Sequence, residues 1–356
     1  MPNERDHAVV IGIKDYGSLK PPLSGPVLDA QDFANWLRSP DGGDLPPRNV
    51  REVVSTAFDN SKQTDALSFK PDLTAMRVPF WELMTLTKEN FGKPVPLVGR
   101  RLYLYFSGHG ITPRVDPVTG TNQSGLLAAN CVEDVNYDAI AGHAYAEWFR
   151  LSHAFDEILL FMDCCRTDRP DIAPATITTP IVTGGKPEDV RVFYAWATQW
   201  DTRAWEQPLG QPAATRGVFT FALIEALQKA LPDEQGQLTT KSLVGHLTLR
   251  IAQLRAGAEP QPPRFFPPEP DGRFVIRRDV RSSKANVTIT FAPALFGKPA
   301  DLQRGPFVSV LPVPHIASAD PWTLQIEPGI YNVAIDGRDI QLIVRPNQPK
   351  EQHIDG

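Results

Sequence analysis

The sequence predicts an α/β domain with a mostly parallel sheet covered by helices on both faces, followed by a small all-β sandwich. Three observations predict it. Short, nearly continuous apolar runs alternate with longer amphipathic stretches, the pattern of buried strands joined by crossover helices. After Arg278 that alternation stops, and short strand-like runs separated by turn residues replace it. Two of the apolar runs also end abruptly at reactive side chains: Leu102-Tyr103-Leu104-Tyr105-Phe106-Ser107-Gly108-His109-Gly110 and Ile158-Leu159-Leu160-Phe161-Met162-Asp163-Cys164-Cys165-Arg166.

The elements follow in order. Residues 7–13 are almost wholly apolar and β-branched, and they predict a central strand buried on both faces. A loop with Pro21, Pro22 and Pro26 leads to a helix over 28–37, and 50–56 reads as a second strand. An amphipathic helix spans 72–90, with a break or kink expected at Pro79. Residues 101–106 form the third strand. Turn residues fill 112–124, before an apolar run at 125–129 and a helix over 143–152. The strand 157–162 ends at the cysteine pair. Residues 166–189 and 202–216 read as long irregular loops, with a strand at 192–198 between them. Helices at 217–231 and 240–256 close the first domain, the second with Thr239 or Thr240 as its cap. The domains are expected at 1–278 and 279–356. In the second, strands are read at 287–291, 307–310, 322–326, 331–335 and 341–344, with turns at Pro328-Gly329 and Asp336-Gly337.

Composition narrows the function classes. The 356 residues are 42% hydrophobic and 22% charged, ordinary for a globular protein with a substantial core. The net charge of −5 offers no basic footprint for nucleic acid. No apolar run is long enough to span a membrane, and the polar N-terminus has no apolar leader. Three cysteines, two of them adjacent, cannot build a disulfide framework and suit a reducing cytoplasm.

In a parallel sheet the carboxyl ends of neighbouring strands open into one crevice. Two strands ending in His109 and Cys165 therefore bring a base beside a thiol, the minimum for a cysteine nucleophile. Glycines on both sides of His109 allow a tight turn and close approach of a substrate. The backbone N–H of Gly110 or of Cys165 is a candidate donor to a developing oxyanion. Neither His143 nor Cys131 has partners at metal-ligand spacing, so no metal site is expected.

Tyr-Phe-Ser-Gly-His-Gly followed by Asp-Cys-Cys-Arg resembles the caspase and metacaspase family of cysteine peptidases, particularly its bacterial members. The resemblance covers about residues 7–276 and includes Leu23-Ser24-Gly25-Pro26-Val27-Leu28-Asp29-Ala30 and Gly217-Val218-Phe219-Thr220-Phe221-Ala222-Leu223. It implies a caspase-like sheet, Cys165 as nucleophile and His109 as its partner, with Cys164 pointing the other way. The pocket positions of metacaspases fall on Asp29, Ser107 and Asp163, which implies selection of a basic side chain, Arg before Lys. The resemblance also places Trp200, Trp205 and Glu206 in the region that lines the substrate groove. Pro26 stands where metacaspases carry a small residue, and Arg166 replaces their histidine after the cysteine pair. Some metacaspases bind calcium; here Asp134, Asp138, Asp168 and Asp171 lie near the relevant loops but form no EF-hand pattern, and no cofactor is required.

The expectation is a cytoplasmic endopeptidase that makes limited cuts after Arg or Lys in a protein with an exposed basic residue. The family implies a regulated setting such as bacterial defence or cell death. The alternatives are a catalytically silent scaffold and a protease activated by a partner, with the β-sandwich binding the regulator. Intact His109 and Cys165 weigh against the scaffold.

Overall fold

The structure, a computed structural model, describes residues 3–20, 22–113, 124–169, 172, 177–229, 237–268, 274–277, 285–304, 308–327, 329–344 and 349–355. The chain divides into two compact units, Met1–Gln228 with Thr239–Val275 and Lys229–Leu238 with Ile276–Gly356.

The first unit runs β1 (Asp6–Gly12), α1 (Pro26–Arg38), β2 (Val50–Val54), α2 (Leu73–Glu89), β3 (Gly99–Gly108), β4 (Gly110–Pro113), β5 (Gly125–Leu127), β6 (Ala139–Ala141), α3 (Gly142–Leu151), β7 (Phe155–Cys164), β8 (Thr167–Arg169), β9 (Arg191–Trp196), β10 (Glu206–Leu209), β11 (Ala214–Gly217), α4 (Val218–Lys229), β12 (Leu238–Thr239), α5 (Thr240–Leu254) and β13 (Arg264–Phe266). The main sheet has the order β13-β9-β7-β3-β1-β2. Its pairs are parallel except β13 with β9, which is antiparallel. β3 and β7 sit at its centre and are buried along nearly their whole length, which is why they read as unbroken apolar runs.

Alternation along β3 assigns the two faces. Tyr103 and Tyr105 meet Phe33 of α1, with the Phe33 and Tyr105 rings stacked at 4.6 Å, and the Tyr105 hydroxyl lies 2.6 Å from Thr220 Oγ1 of α4. Phe106 points the other way, against Phe80 of α2, which packs in turn on Tyr145 of α3. Helices thus cover both faces, as the sequence predicts.

Several elements depart from the sequence reading. α2 continues through Pro79, begun by Asp72, whose side chain accepts the Ala75 N–H at 2.9 Å. The pattern missed a second sheet, β6-β5-β4-β8, because its strands are three or four residues long and too short to show a period. Residues 202–216, read as an irregular loop, contain the antiparallel hairpin of β10 and β11. Thr239 caps α5 as expected, its hydroxyl accepting the Ser242 N–H at 3.3 Å.

The second unit has two sheets among its described residues. One holds Trp322–Ile326, Ala285–Phe291 and Lys350–Ile354 in that order. The other is built on Pro299–Arg304, Gly329–Ile335 and Arg338–Val344. Inward residues of both, among them Val287, Ile289, Trp322, Leu302, Val333 and Leu342, form one core. Asp336 and Gly337 both have positive φ, 51° and 74°, and make the tight turn that the sequence signals there. Pro328 lies outside the described residues.

Candidate active site

At the carboxyl end of the main sheet, β3 and β7 run side by side in register, with Ser107 opposite Asp163 and Gly108 opposite Cys164. Side chains alternate, so Asp163 and Cys165 share the face that Tyr105 and Phe161 occupy, and Cys164 turns into the core on the other face. Cys164 is 1% exposed, whereas Cys165 is half-buried and lines a pocket of about 470 Å³. His109, Ser107, Gly108, Asp29 and Asp163 line the same pocket, together with Leu23, Pro26, Trp205, Glu206 and Gly217.

The turn between β3 and β4 fixes His109. Gly108 has φ +151°, and a Cβ there would fall 2.6 Å from the Tyr16 hydroxyl. A Cβ on Gly110 would fall 2.5 Å from the Cys165 carbonyl oxygen and 2.7 Å from Cys164 Sγ. The His109 N–H donates to the Tyr16 hydroxyl at 2.8 Å, the Leu127 N–H donates to the His109 carbonyl at 2.9 Å, and the Tyr16 ring packs edge-on to the imidazole at 4.8 Å. The histidine is held by β5 and by the loop after β1 at once.

The Cys165 thiol donates to the Ala204 carbonyl at 3.7 Å. Burial pushes its pKa above the usual thiol value, so it is protonated at neutral pH and needs a base. Arg166, next in the chain, is 2% exposed. Its guanidinium lies 5.2 Å from the ring centroid of Trp196 and 5.8 Å from that of Trp200, and its Nε donates to Ser124 Oγ at 2.8 Å. Burial lowers its pKa to about 10. Its backbone accepts the Asp201 N–H at 3.0 Å and donates to the Thr202 carbonyl at 3.1 Å. One side chain thereby ties the cysteine strand to the residue before β5 and to the turn after β9.

Three carboxylates face the pocket from three separate elements. Asp29 of α1 is 1% exposed, and its Oδ2 accepts the Gly217 N–H at 2.8 Å. Asp163 Oδ2 accepts the Thr220 N–H at 3.1 Å and the Thr220 hydroxyl at 2.6 Å. Glu206 accepts the Ser24 and Gly25 N–H groups at 3.1 and 2.9 Å. Burial first, and then the charge of Asp163, hold the Asp29 carboxyl well above the usual range. Burial raises Asp163 to about 6, against the two Thr220 hydrogen bonds. Arg216 lies outside the pocket wall, 2.8 Å from Asp32 and 3.8 Å from Asp29.

The pocket thus gathers His109, Cys165, Asp29, Ser107 and Asp163. Gly110 and Trp200 do not line it: Gly110 sits against the cysteine pair and Trp200 against Arg166. The sequence groups Glu206 with the groove region and does not mark it as a third carboxylate of the pocket; its signal is an acidic residue at the start of a hairpin whose sequence looks like loop. Gly217 went unrecognised as the floor between the carboxylates. Among the described residues, no three His, Cys, Asp or Glu side chains gather to hold a metal. Asp138 accepts amide donors from Asn130 and Asn136, and Asp134 lies 3.9 Å from Arg169. Asp171 lies outside the described residues. No helix among them is long and apolar enough to cross a membrane.

A family model described as a caspase domain, of peptidase family C14, matches residues 5–265. The chain is similar to a protein named as a probable protease from a Desulfuromonadales bacterium, at 29% identity over 223 residues, 62% of this chain and 26% of that protein. It therefore spans well under half of that relative's length. Among solved structures it is similar to caspase-1 from Spodoptera frugiperda, at 12% identity with a TM-score of 0.44, over 74% of this chain and 86% of that one.

Proposed function

Because the chain belongs to the caspase-domain family of cysteine peptidases, we propose that it is an endopeptidase that cuts proteins after Arg, with Lys second. The observation that carries the specificity is the convergence of Asp29, Asp163 and Glu206 on the pocket that Cys165 and His109 also line. A guanidinium entering that pocket meets carboxylates whose remaining lone pairs suit its planar fork. An acidic side chain set against those three carboxylates would be repelled, although Lys20 and Arg203 also line the pocket.

In the mechanism, His109 takes the Cys165 proton and the thiolate attacks the carbonyl carbon after the basic residue. The carbonyl electrons move to oxygen, and the N–H of Cys165, which lines the pocket, is the proposed donor to that oxyanion. Collapse breaks the C–N bond, with the His109 proton passing to the leaving amine. Water, deprotonated by His109, then attacks the thioester, and its collapse returns the thiolate and frees the new carboxyl group. Desolvation keeps the thiol protonated, and so a weak nucleophile, until the base acts. The partner that follows from this reading is a protein with an exposed basic residue, in a cytoplasmic and regulated setting such as bacterial defence, with no cofactor required.

The test is to incubate wild-type and Cys165→Ala protein with a mixed peptide library, with and without calcium, and to sequence the new ends. Cuts after Arg or Lys that vanish in the variant support the reading. Cuts after Asp would keep the cysteine chemistry and overturn the pocket assignment.

A further inference from the structure

The pocket wall that carries Ala204, Trp205 and Glu206 is held from behind by the end of α5 and the proline-rich stretch after it. Gln261 is 2% exposed. Its Oε1 accepts the Trp205 N–H at 2.8 Å, and its Nε2 donates to the Ala197 carbonyl at 3.2 Å. Beside it, the Arg255 guanidinium lies 4.9 Å from the centroid of the Trp205 ring and donates to Gln207 Oε1 at 3.0 Å. Gln207 donates in turn to the Leu254 carbonyl at 3.2 Å.

We propose that Gln261 is a positioning residue for cleavage. Its amide spans the two ends of the stretch between Ala197 and Trp205, and so sets where the Ala204 carbonyl meets the Cys165 thiol and where Glu206 faces the pocket. An amide supplies one donor and one acceptor from the same head group, which is what a main-chain carbonyl and a main-chain N–H at the two ends of one turn require. A leucine there would leave both unmet. The residue touches no reacting atom; it acts through the wall. This inference rests on the cleavage reading above.

Glutamate is close to an isostere and makes the role titratable. Protonated, a glutamate at 261 accepts from Trp205 and donates to Ala197 as the amide does. Ionised, it keeps the first bond and repels the Ala197 carbonyl oxygen. Burial raises such a carboxyl and the Arg255 guanidinium lowers it, so the pH is scanned from 5 upward to find the switch.

The experiment compares wild type, Gln261→Glu and Gln261→Leu between pH 5 and 8.5, with two readouts. One is kcat and KM on an acyl-arginine amide. The other is the rate at which iodoacetamide alkylates Cys165, followed by mass spectrometry. At pH 8.5 kcat/KM of the Glu variant is expected about tenfold below wild type, from the lost hydrogen bond and the unmet carbonyl. Its Cys165 is expected to alkylate several-fold faster, because the Ala204 carbonyl no longer holds the thiol proton. Both ratios to wild type should return toward one as the pH falls, and the Leu variant should show no such return. Ratios that are flat with pH, or that stay at one throughout, overturn the proposal. If wild type cuts no basic substrate, the cleavage reading falls and the alkylation ratios still decide the role of Gln261. If the Leu variant does not fold, the pH dependence of the Glu variant decides alone.

Discussion

Asp29 and Asp163 meet across Gly217: a Cβ on that glycine would lie 2.1 Å from Asp163 Oδ2 and 3.0 Å from Asp29 Oδ2. The two carboxylates come from a helix and from a strand far apart in sequence, and the space between them exists only because this residue has no side chain.

Gly217→Ala should therefore damage selection before it damages the fold. The new methyl displaces Asp163 from the position that Thr220 gives it. For an arginine substrate we expect kcat/KM to fall by about 100-fold, as for other misplacements of about 1 Å. Steady-state kinetics beside a thermal melt checks this; loss of the melting transition would mean that the glycine is needed for folding instead.

Asp163→Asn should stabilise the protein while disarming it. A carboxyl raised to about 6 in the fold holds its proton more tightly there than in the unfolded chain. Its ionised form consequently opposes folding above about pH 6, and the effect is gone below the unfolded value near 4. Asparagine still accepts from Thr220. We expect a stability gain of about 1–3 kcal/mol at pH 8 that disappears at pH 4, with arginine-specific cleavage strongly reduced. Urea titrations at the two pH values check the sign.

Binding of a basic side chain should release protons. Burial and the neighbouring Asp163 charge hold the Asp29 carboxyl well above the ordinary carboxylate range, so the empty pocket favours its protonated form more than water does. A guanidinium favours the charged form and expels that proton. Calorimetry of an arginine amide with Cys165→Ala protein, in two buffers of different ionisation enthalpy and repeated from pH 5 to 7, should report net proton release on binding. Below pH 6 Asp163 also protonates, and KM for basic substrates should rise.

Tyr16→Phe should lower kcat and leave KM nearly unchanged. The hydroxyl that accepts the His109 N–H is lost, while the ring that packs on the imidazole remains. Leaving a half-buried N–H without its acceptor costs about 1–3 kcal/mol. An equal fall in kcat and kcat/KM would place the effect on the histidine; a change in KM alone would place it on the pocket.

Much of this was legible in the chain. The central strands are readable because β3 and β7 are buried on both faces, which forces a continuous apolar run, and each run stops beside a residue of the proposed His–Cys pair. Short strands such as β4 and β8 were not readable, since three or four residues show no period. Glu206 was placed only as part of a groove because its position in the pocket depends on hydrogen bonds to Ser24 and Gly25, 182 and 181 residues away. Trp200 reads as a groove residue because an aromatic after a strand end looks the same whether it faces a ligand or, as here, a buried arginine. Gln261 sits in a proline-rich stretch that looks like linker and carries no motif.

Asp163 and Cys165 stand two residues apart along one strand direction, on the same face. A strand advances about 3.3 Å per residue, so the proposed recognition carboxyl and the proposed nucleophile are set roughly 6.6 Å apart by backbone geometry. β7 is in that sense a ruler. Shortening a substrate side chain by single methylenes, from arginine to its lower homologue and from lysine to ornithine, would read its graduations directly.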